Sequence, residues 1–204
     1  MVKQFNEDLA AAKEAERLVE MYFRIMGSDK YEFRNVSEDS DYYYIGDLLA
    51  FDADGRRLGI EVKDDSRIAE TGNVLCEESV YYIHGDYEGK GNMQSNYDIY
   101  CIVSKSEKKI YIIDFKKLKK IYKAFGILKE IPHEDQITYC YLVPLWVIKQ
   151  QGAFIAEIDY SGEYPVARKY NSLEEEAKRI AKRQESNRKW REYVNSDLYA
   201  KIMG

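Results

Sequence analysis

The feature that most constrains this fold is a pair of strand-like segments joined by a short turn. Residues 46–52 and 56–63 flank Ala53-Asp54-Gly55 and predict a β-hairpin. Side chains alternate between the two faces of a strand. The register of the turn therefore decides which residues face the core.

Two registers are open to this hairpin. A two-residue type I′ turn at Asp54-Gly55 pairs Asp47 with Val62 and separates Asp47 and Glu61 on opposite faces. A three-residue loop with Gly55 left-handed, in a G1 bulge, pairs residue 47 with residue 61. The apolar pattern favours this second register, which gathers one set on a single face: Leu48, Ala50, Leu58, Ile60 and Val62. The opposite face then carries Asp47, Glu61 and Lys63.

This register places two carboxylates directly opposite each other, about 5 Å apart at Cβ. Like charges in that position destabilise a hairpin unless a cation lies between them. Carboxylate oxygens suit Mg²⁺ or Mn²⁺, and Lys63 projects beside the same site. Two acidic ligands, a metal and a lysine suit phosphodiester hydrolysis. The alternative is a surface hairpin with ordinary solvated charges.

A second carboxylate in an unexpected place is Glu16, on a predicted helix over residues 5–26. The apolar stripe of this helix consists of Phe5, Leu9, Ala12, Val19, Phe23 and Met26. At 100° per residue, Glu16 falls in the middle of the stripe. A charged carboxylate facing a core requires a partner or a metal. The alternative is a slightly shifted stripe, with Glu16 reaching solvent or pairing with an arginine.

The remaining pattern predicts a mixed α/β domain with helices packed on a sheet. Residues 30–45 and 64–73 are expected as loops, and the Gly-, Asn- and Ser-rich segment 84–96 as mobile. Further strands are expected over 74–83, 97–103, 110–114, 137–148 and 153–159, and a basic helix over 115–125. A long polar helix begins at Ser172. We therefore expect an α/β domain over 1–160 and a helical extension over 161–204 packed on it.

Composition excludes several classes of protein. The longest apolar run, 139–148, is too short to span a bilayer and contains Pro144. The N-terminus lacks the apolar region of a signal peptide. Three cysteines without close pairing fit a reducing cytoplasm, and with only two histidines a His-based zinc site is disfavoured. The expectation is a cytoplasmic protein without a membrane segment.

Charge is distributed unevenly along the chain of 204 residues, whose net charge is -5. Residues 1–100 carry 11 basic and 22 acidic side chains, and residues 101–204 carry 20 basic and 14 acidic. Such asymmetry hints at a polyanionic partner. The candidate phosphate contacts are Lys105, Lys116, Lys117, Lys119, Lys120, Lys182 and Arg183. On the C-terminal helix, interleaved glutamates leave a solvated face as the alternative.

These motifs resemble the PD-(D/E)XK nuclease superfamily. The resemblance rests on Gly46-Asp47, thirteen intervening residues and Glu61-Val62-Lys63, preceded by the helix that bears Glu16. It implies a restriction endonuclease-like core of a helix, a three-stranded meander, a second helix and another strand. Segments 70–77 (with Thr71-Gly72-Asn73) and 96–100 also resemble a small phage and bacterial branch of that superfamily. Two departures are the Gly at position 46, where the motif has Pro, and the missing second helix after Lys63.

The resemblance implies a role for each matching residue. Glu16, Asp47, Glu61 and Lys63 would be catalytic, and Asp47, Glu61, Val62 and Glu77 would contact Mg²⁺ or Mn²⁺. The implied function is metal-dependent hydrolysis of DNA, most simply as an endonuclease, with a homodimer left open. Two alternatives stand beside it: an inactive nuclease-fold module that binds DNA or protein, and a structural α/β protein whose hairpin charges are solvated.

Overall fold

The structure is a computed structural model that describes residues 2–27, 30–42 and 45–169. Over these residues the protein is a mixed α/β fold of helices α1–α4 and strands β1–β11. The helices are α1 Val2–Gly27, α2 Ile68–Thr71, α3 Phe115–Phe125 and α4 Leu145–Gln150. The first seven strands are β1 Tyr31–Asn35, β2 Leu48–Asp52, β3 Arg57–Asp64, β4 Asn73–Tyr82, β5 Tyr87–Lys90, β6 Ile99–Ser104 and β7 Lys109–Asp114. The last four are β8 Ile127–Pro132, β9 Gln136–Pro144, β10 Phe154–Asp159 and β11 Val166–Lys169.

The strands form two sheets. The larger sheet has the order β1-β2-β3-β6-β7-β10-β11, and the smaller has the order β5-β4-β9-β8. All the paired strands in the larger sheet are antiparallel except β3 and β6. A parallel pair needs a crossover connection. Here that crossover contains α2, β4 and β5, so it supplies two strands of the smaller sheet, and β8 and β9, between α3 and α4, supply the other two.

Helix α1 covers one face of the larger sheet. Ala15 and Val19 of the helix are fully buried against the inward side chains of β1, β2, β3 and β6. The strand residues of this core include Phe33, Leu48, Ala50, Ile60, Val62, Cys101 and Val103. Each fully buried aliphatic side chain of this kind stabilises the fold by roughly 1.5–3 kcal/mol. Asp47, Glu61 and Lys63 are absent from this core because the alternation turns them to the other face.

The other face carries an aromatic core that connects the sheet to α3. The ring of Phe115 lies 5.1 Å from that of Tyr97 and 5.8 Å from that of Tyr100. Helix α3 then reaches the smaller sheet, where Tyr122 meets Tyr141 edge to face at 5.3 Å. The two sheets are thereby fixed relative to each other around the space between β3 and β4.

The hairpin register is confirmed. Leu48 pairs with Ile60 and Phe51 with Arg57, and the backbone N–H of Asp52 donates to the carbonyl of Arg56. Gly55 has φ +74°, as the three-residue loop requires. The helix expected over 115–125 is confirmed at both ends, and α1 and the expected strands within 74–83, 97–103, 110–114 and 153–159 are present within a few residues.

Four expectations within residues 30–148 were wrong. Segment 64–73, expected as a loop, contains the helical turn α2, and β4 begins at its last residue, Asn73. Residues 31–35 form strand β1 instead of a loop; only Phe33 is buried there, so its apolar signal is faint. Segment 84–96 contains strand β5 and the 3₁₀ turn Asn92–Gln94. The apolar run 137–148 is a strand only to Pro144, and α4 begins there because proline favours the start of a helix.

The chain divides at Lys169, where the compact unit described above ends. Strand β11 pairs with β10 and carries the larger sheet into the segment expected as a helical extension. The rest of that extension, including the helix from Ser172, lies outside the described residues. Among the described helices, none combines the length and apolar character needed to cross a membrane.

Candidate active site

Four of the sequence-predicted site residues line one cavity of about 630 Å³. They are Asp47, Glu61, Lys63 and Glu77, contributed by the β2–β3 hairpin and by β4. Gly46 also lines the cavity, with Val36 and Ser37 at one side. The rest of the lining comes from the end of β4, from β5 and from the segment between β5 and β6: Tyr82, Tyr87, Gly89, Lys90, Gly91, Asn92, Gln94, Ser95, Asn96 and Tyr97. The cavity therefore opens between the two sheets.

The hairpin register brings Asp47 and Glu61 together. Asp47 lies one residue before β2, and its N–H donates to the carbonyl of Ile60 over 2.9 Å. The strand ladder runs from Leu48–Ile60 to Phe51–Arg57, so Asp47 lies just beyond its end, close enough to Glu61 for the charge of Glu61 to raise the pKa of Asp47. The backbone N–H of Val62 donates to Oδ2 of Asp47 over 2.8 Å, which fixes the rotamer of the carboxylate.

Gly46 explains the departure from the motif's proline. Its φ is +129°, and a Cβ there would lie 2.5 Å from the carbonyl oxygen of Ile60. Proline holds φ near −65° and carries a Cβ, so proline cannot occupy this position. Glycine lets the chain pass directly over β3 into Asp47.

The surroundings of Asp47 shift the pKa of its carboxyl strongly. Burial raises its pKa first, and the charge of Glu61 raises it next. The N–H of Val62 and the ammonium of Lys63 lower it, and the balance leaves the pKa of Asp47 at about 7. Two carboxylates that share a site behave in this way, because both ionise only at a cost when no cation lies between them.

Lys63 is the cation closest to this pair. Its Nζ lies 2.8 Å from Oε1 of Glu61, whose side chain is only 8% exposed. Burial lowers the pKa of Lys63, but the charges of Glu61, Glu77 and Asp47 outweigh that effect and raise it overall. Lys63 therefore stays protonated at the wall of the cavity.

Glu77 is held by the backbone of β4 beside a β-bulge, between Glu77 and Ser79. Its N–H donates to Oδ1 of Asn92 over 3.1 Å. The amide of Asn92 in turn donates to the buried hydroxyl of Tyr100 over 3.1 Å. This polar network ties β4 to β6, so Glu77 faces the hairpin from the opposite wall.

Glu16 is placed differently from the other predicted carboxylates. It is buried, as the helical pattern predicts, but it lines a neighbouring cavity of about 610 Å³. The hydroxyl of Ser37 donates to its Oε2 over 2.6 Å, and Lys13 lies 3.5 Å from the same oxygen. Val36 and Ser37 line both cavities. The charge of Glu16 still contributes to the raised pKa of Asp47, as the weakest of several effects.

The donor set fits a small divalent cation in part. Mg²⁺ is commonly held by one or two carboxylates, with water and phosphate oxygens completing the shell. Asp47 and Glu61 supply those two, and Val62 can add only its backbone carbonyl, since its side chain is buried in the opposite core. Within the described residues, no three His, Cys, Asp or Glu side chains converge on one point as a ready-made metal site.

The predicted basic contacts are mostly paired. Lys105 bonds Glu14 and Asp64, Lys116 bonds Asp98, and Lys117 lies 3.6 Å from Asp114. Lys119 donates to the carbonyl of Ser95, a residue of the cavity wall, and Lys120 is exposed. Lys182 and Arg183 lie outside the described residues. Lys119 thus connects α3 to the cavity wall through Ser95.

Sequence reasoning missed the wall formed by residues 82–97. Tyr82 and Tyr87 flank a Gly-containing turn, which is a pattern typical of a hairpin. This pattern was the signal from which the wall could have been predicted. The motif residues Asn96 and Tyr97 line the cavity, whereas Asp98 instead accepts the N–H of Gly59 over 2.9 Å. Thr71-Gly72-Asn73 ends α2 and begins β4.

Comparison of the chain with protein-family models, with curated proteins and with solved structures finds no match. The residues of the cavity are therefore the basis for any functional conclusion.

Proposed function

We propose that this chain is a metal-dependent nuclease that hydrolyses phosphodiester bonds in DNA. The observation that carries the proposal is that Asp47, Glu61 and protonated Lys63 line one cavity at the open end of the β2–β3 hairpin, where Lys63 contacts Glu61 and the N–H of Val62 holds Asp47. An uncompensated carboxylate pair is unfavourable for a hairpin by itself. A bound cation would offset the repulsion between the two carboxylates.

The element order supports a restriction endonuclease-like core. Helix α1 precedes the antiparallel meander β1–β2–β3, and β6 then pairs parallel to β3. The expected second helix is reduced to the single turn α2, and the crossover carries β4 and β5 in its place. On this proposal Glu77 enters the site from an element that replaces the usual helix.

Each residue has a distinct task in the proposed reaction. Asp47 and Glu61, with the carbonyl of Val62, would hold Mg²⁺ or Mn²⁺. When bound, such a cation would supply the Lewis acidity needed to polarise the phosphate and to acidify a water. Lys63 presents an ammonium where negative charge develops on the phosphate. Glu77 lies at the outer side of the cavity. Glu16 accepts the hydrogen bond of Ser37 and so holds Ser37 in the cavity wall.

The direct test is cleavage of labelled DNA in Mg²⁺ or Mn²⁺ by wild type, Asp47→Asn and Lys63→Met. Asp54→Asn is the matched control, because it makes the same chemical change in the exposed hairpin turn. We expect wild-type cleavage in Asp54→Asn and a loss of at least about 100-fold in the other two variants. Equal activity in all four proteins, or none in wild type on duplex, branched or single-stranded DNA, would contradict the proposal.

A second candidate is a DNA- or protein-binding module with the same fold and no turnover. It is favoured by one observation: Glu61 is already engaged by Lys63 at 2.8 Å and Glu16 by Ser37 at 2.6 Å. Binding of DNA without cleavage in either metal, unchanged in Asp47→Asn, would select this candidate.

A further inference from the structure

One wall of the cavity has no part in the proposed chemistry. It consists of the β4–β5 hairpin, from which Tyr82, Tyr87, Gly89 and Lys90 face the same space as Asp47 and Glu61. This wall carries two aromatic rings and a cation next to a proposed phosphodiester site. Its composition differs sharply from that of the acidic wall.

The two rings form a stacked pair. Tyr82 and Tyr87 are directly opposite each other in the hairpin register, with ring centroids 4.7 Å apart and an interplanar angle of 17°. Tyr87 is 56% exposed, so much of its surface is left uncovered by the protein. A planar aromatic ring with a free surface beside a cavity is available to a second planar group.

The stacked pair is braced by its neighbours. Gly89 leaves the space that the Tyr82 ring occupies, since a Cβ there would lie 3.0 Å from that ring. The hydroxyl of Tyr81 donates to Asp86 over 2.6 Å and closes the turn between the two strands. A ring that is fixed before binding loses little conformational entropy when a ligand stacks on it.

The chemistry of this wall matches a nucleotide. Nucleobases stack on tyrosine rings without regard to sequence, and a lysine that lines the same cavity can contact the adjoining phosphate. Lys90 is exposed and lines this cavity, from the face of β5 opposite to Tyr87. The cavity volume of about 630 Å³ lies within the range of roughly 300–1,000 Å³ found for enclosed ligand pockets. That space suits an unpaired nucleotide better than a duplex.

We propose that the stacked pair Tyr82–Tyr87, with Lys90, binds an unpaired nucleobase and its phosphate in the DNA strand that is cut. The site then acts on single-stranded DNA, or on unpaired ends of a duplex, in preference to continuous duplex. This inference rests on the proposed function, because it places the nucleobase next to the phosphate facing Asp47, Glu61 and Lys63.

The test measures binding separately from cleavage. Fluorescence anisotropy with a labelled single-stranded oligonucleotide, and with the duplex of the same sequence, is recorded in EDTA for wild type, Tyr87→Ala and Tyr87→Phe. Tyr164→Ala is the matched control, since Tyr164 is 75% exposed and lies between β10 and β11. Thermal unfolding of each variant checks that it is folded.

We expect wild type to bind the single strand more tightly than the duplex. Tyr87→Ala should weaken single-strand binding by roughly 5- to 150-fold, while Tyr87→Phe, which keeps the ring, and Tyr164→Ala stay within about two-fold of wild type. Lys90→Gln should lower the slope of log affinity against log salt by about 0.7 for a single strand. Single-strand binding that is unchanged in Tyr87→Ala, or no preference over duplex in wild type, would overturn the inference.

Asp47→Asn separates the two proposals. If Tyr87→Ala binds normally and Asp47→Asn alone stops cleavage, the nucleobase site is wrong and the nuclease proposal stands. If wild type cleaves nothing but binds single strands through Tyr87, the nuclease proposal is wrong and the stacked pair stands as a binding site.

Discussion

Glu16, which is buried, and Asp47, which is half-buried, lie in two neighbouring cavities and have opposite surroundings. Glu16 has a complete local environment, with Ser37, Asn35 and Lys13 all on its Oε2. Asp47 has one backbone donor and faces Glu61, and its pKa rises to about 7. A satisfied carboxylate stabilises the fold in which it lies. Asp47 is repelled by Glu61 even though Glu61 contacts Lys63, and such repulsion favours the binding of a further cation.

The largest expected difference between the two cavities is in activity. Glu61→Gln should reduce DNA cleavage by at least about 100-fold, because it removes half of the facing pair. Glu16→Gln should reduce it by less than about ten-fold, because Glu16 reaches the site only through the Ser37 wall. Cleavage rates under identical metal concentrations check this contrast. An equal loss in both variants would show that the two cavities act as one site.

Stability should change in opposite directions. Asp47→Asn should raise the free energy of unfolding by about 2–3 kcal/mol near pH 8, because it removes a charge that burial and Glu61 disfavour. Glu16→Ala should lower it by about 1–3 kcal/mol, because Ser37 and Lys13 lose their acceptor. Urea unfolding in EDTA measures both. A destabilised Asp47→Asn would indicate that its carboxylate is structural, like Glu16.

The pH dependence of unfolding should identify Asp47 by itself. Its pKa is raised from 3.8 to about 7, so between these values the folded chain holds a proton that the unfolded chain has released. The stability contribution of Asp47 in metal-free wild type therefore falls as the pH rises through that window. The advantage of Asp47→Asn over wild type should grow by about 2 kcal/mol from about pH 5 to about pH 8. An advantage that is constant across this range would contradict the raised pKa.

The hairpin could be predicted from the sequence because its evidence is local. Leu48, Ala50, Ile60 and Val62 select one register, and Gly55 permits the loop that the register requires. The spacing of these residues along the chain is enough to bring Asp47 and Glu61 into one cavity. The cavity floor was predictable for the same reason.

The position of Glu16 could be predicted only in part. A helical projection gives the direction of a side chain around the helix axis, which correctly indicated burial. It does not tell which loop lies in front of that side chain. Ser37 follows β1, a strand with one buried residue, Phe33, and its contact with Glu16 depends on tertiary structure.

The β4–β5 wall was missed because glycines and polar residues conceal its pattern. Gly85, Gly89 and Gly91 are typical of a loop, yet Gly89 makes room for the ring of Tyr82. The pairing of β4 with β5 depends on contacts along the whole hairpin, so the hydropathy of the sequence gives little sign of it. Similarly, Pro144 divides an apolar run whose sequence alone does not distinguish strand from helix.

The central claim is that the Asp47–Glu61 cavity, and not the Glu16 cavity, recruits a divalent cation. Isothermal titration of Mn²⁺ at about pH 8, where Asp47 is largely ionised, tests it directly in wild type, Asp47→Asn and Glu16→Gln. We expect binding in wild type and Glu16→Gln, and affinity at least about ten-fold weaker in Asp47→Asn. Binding that is lost in Glu16→Gln but kept in Asp47→Asn, or no binding in wild type at millimolar Mn²⁺, would contradict it.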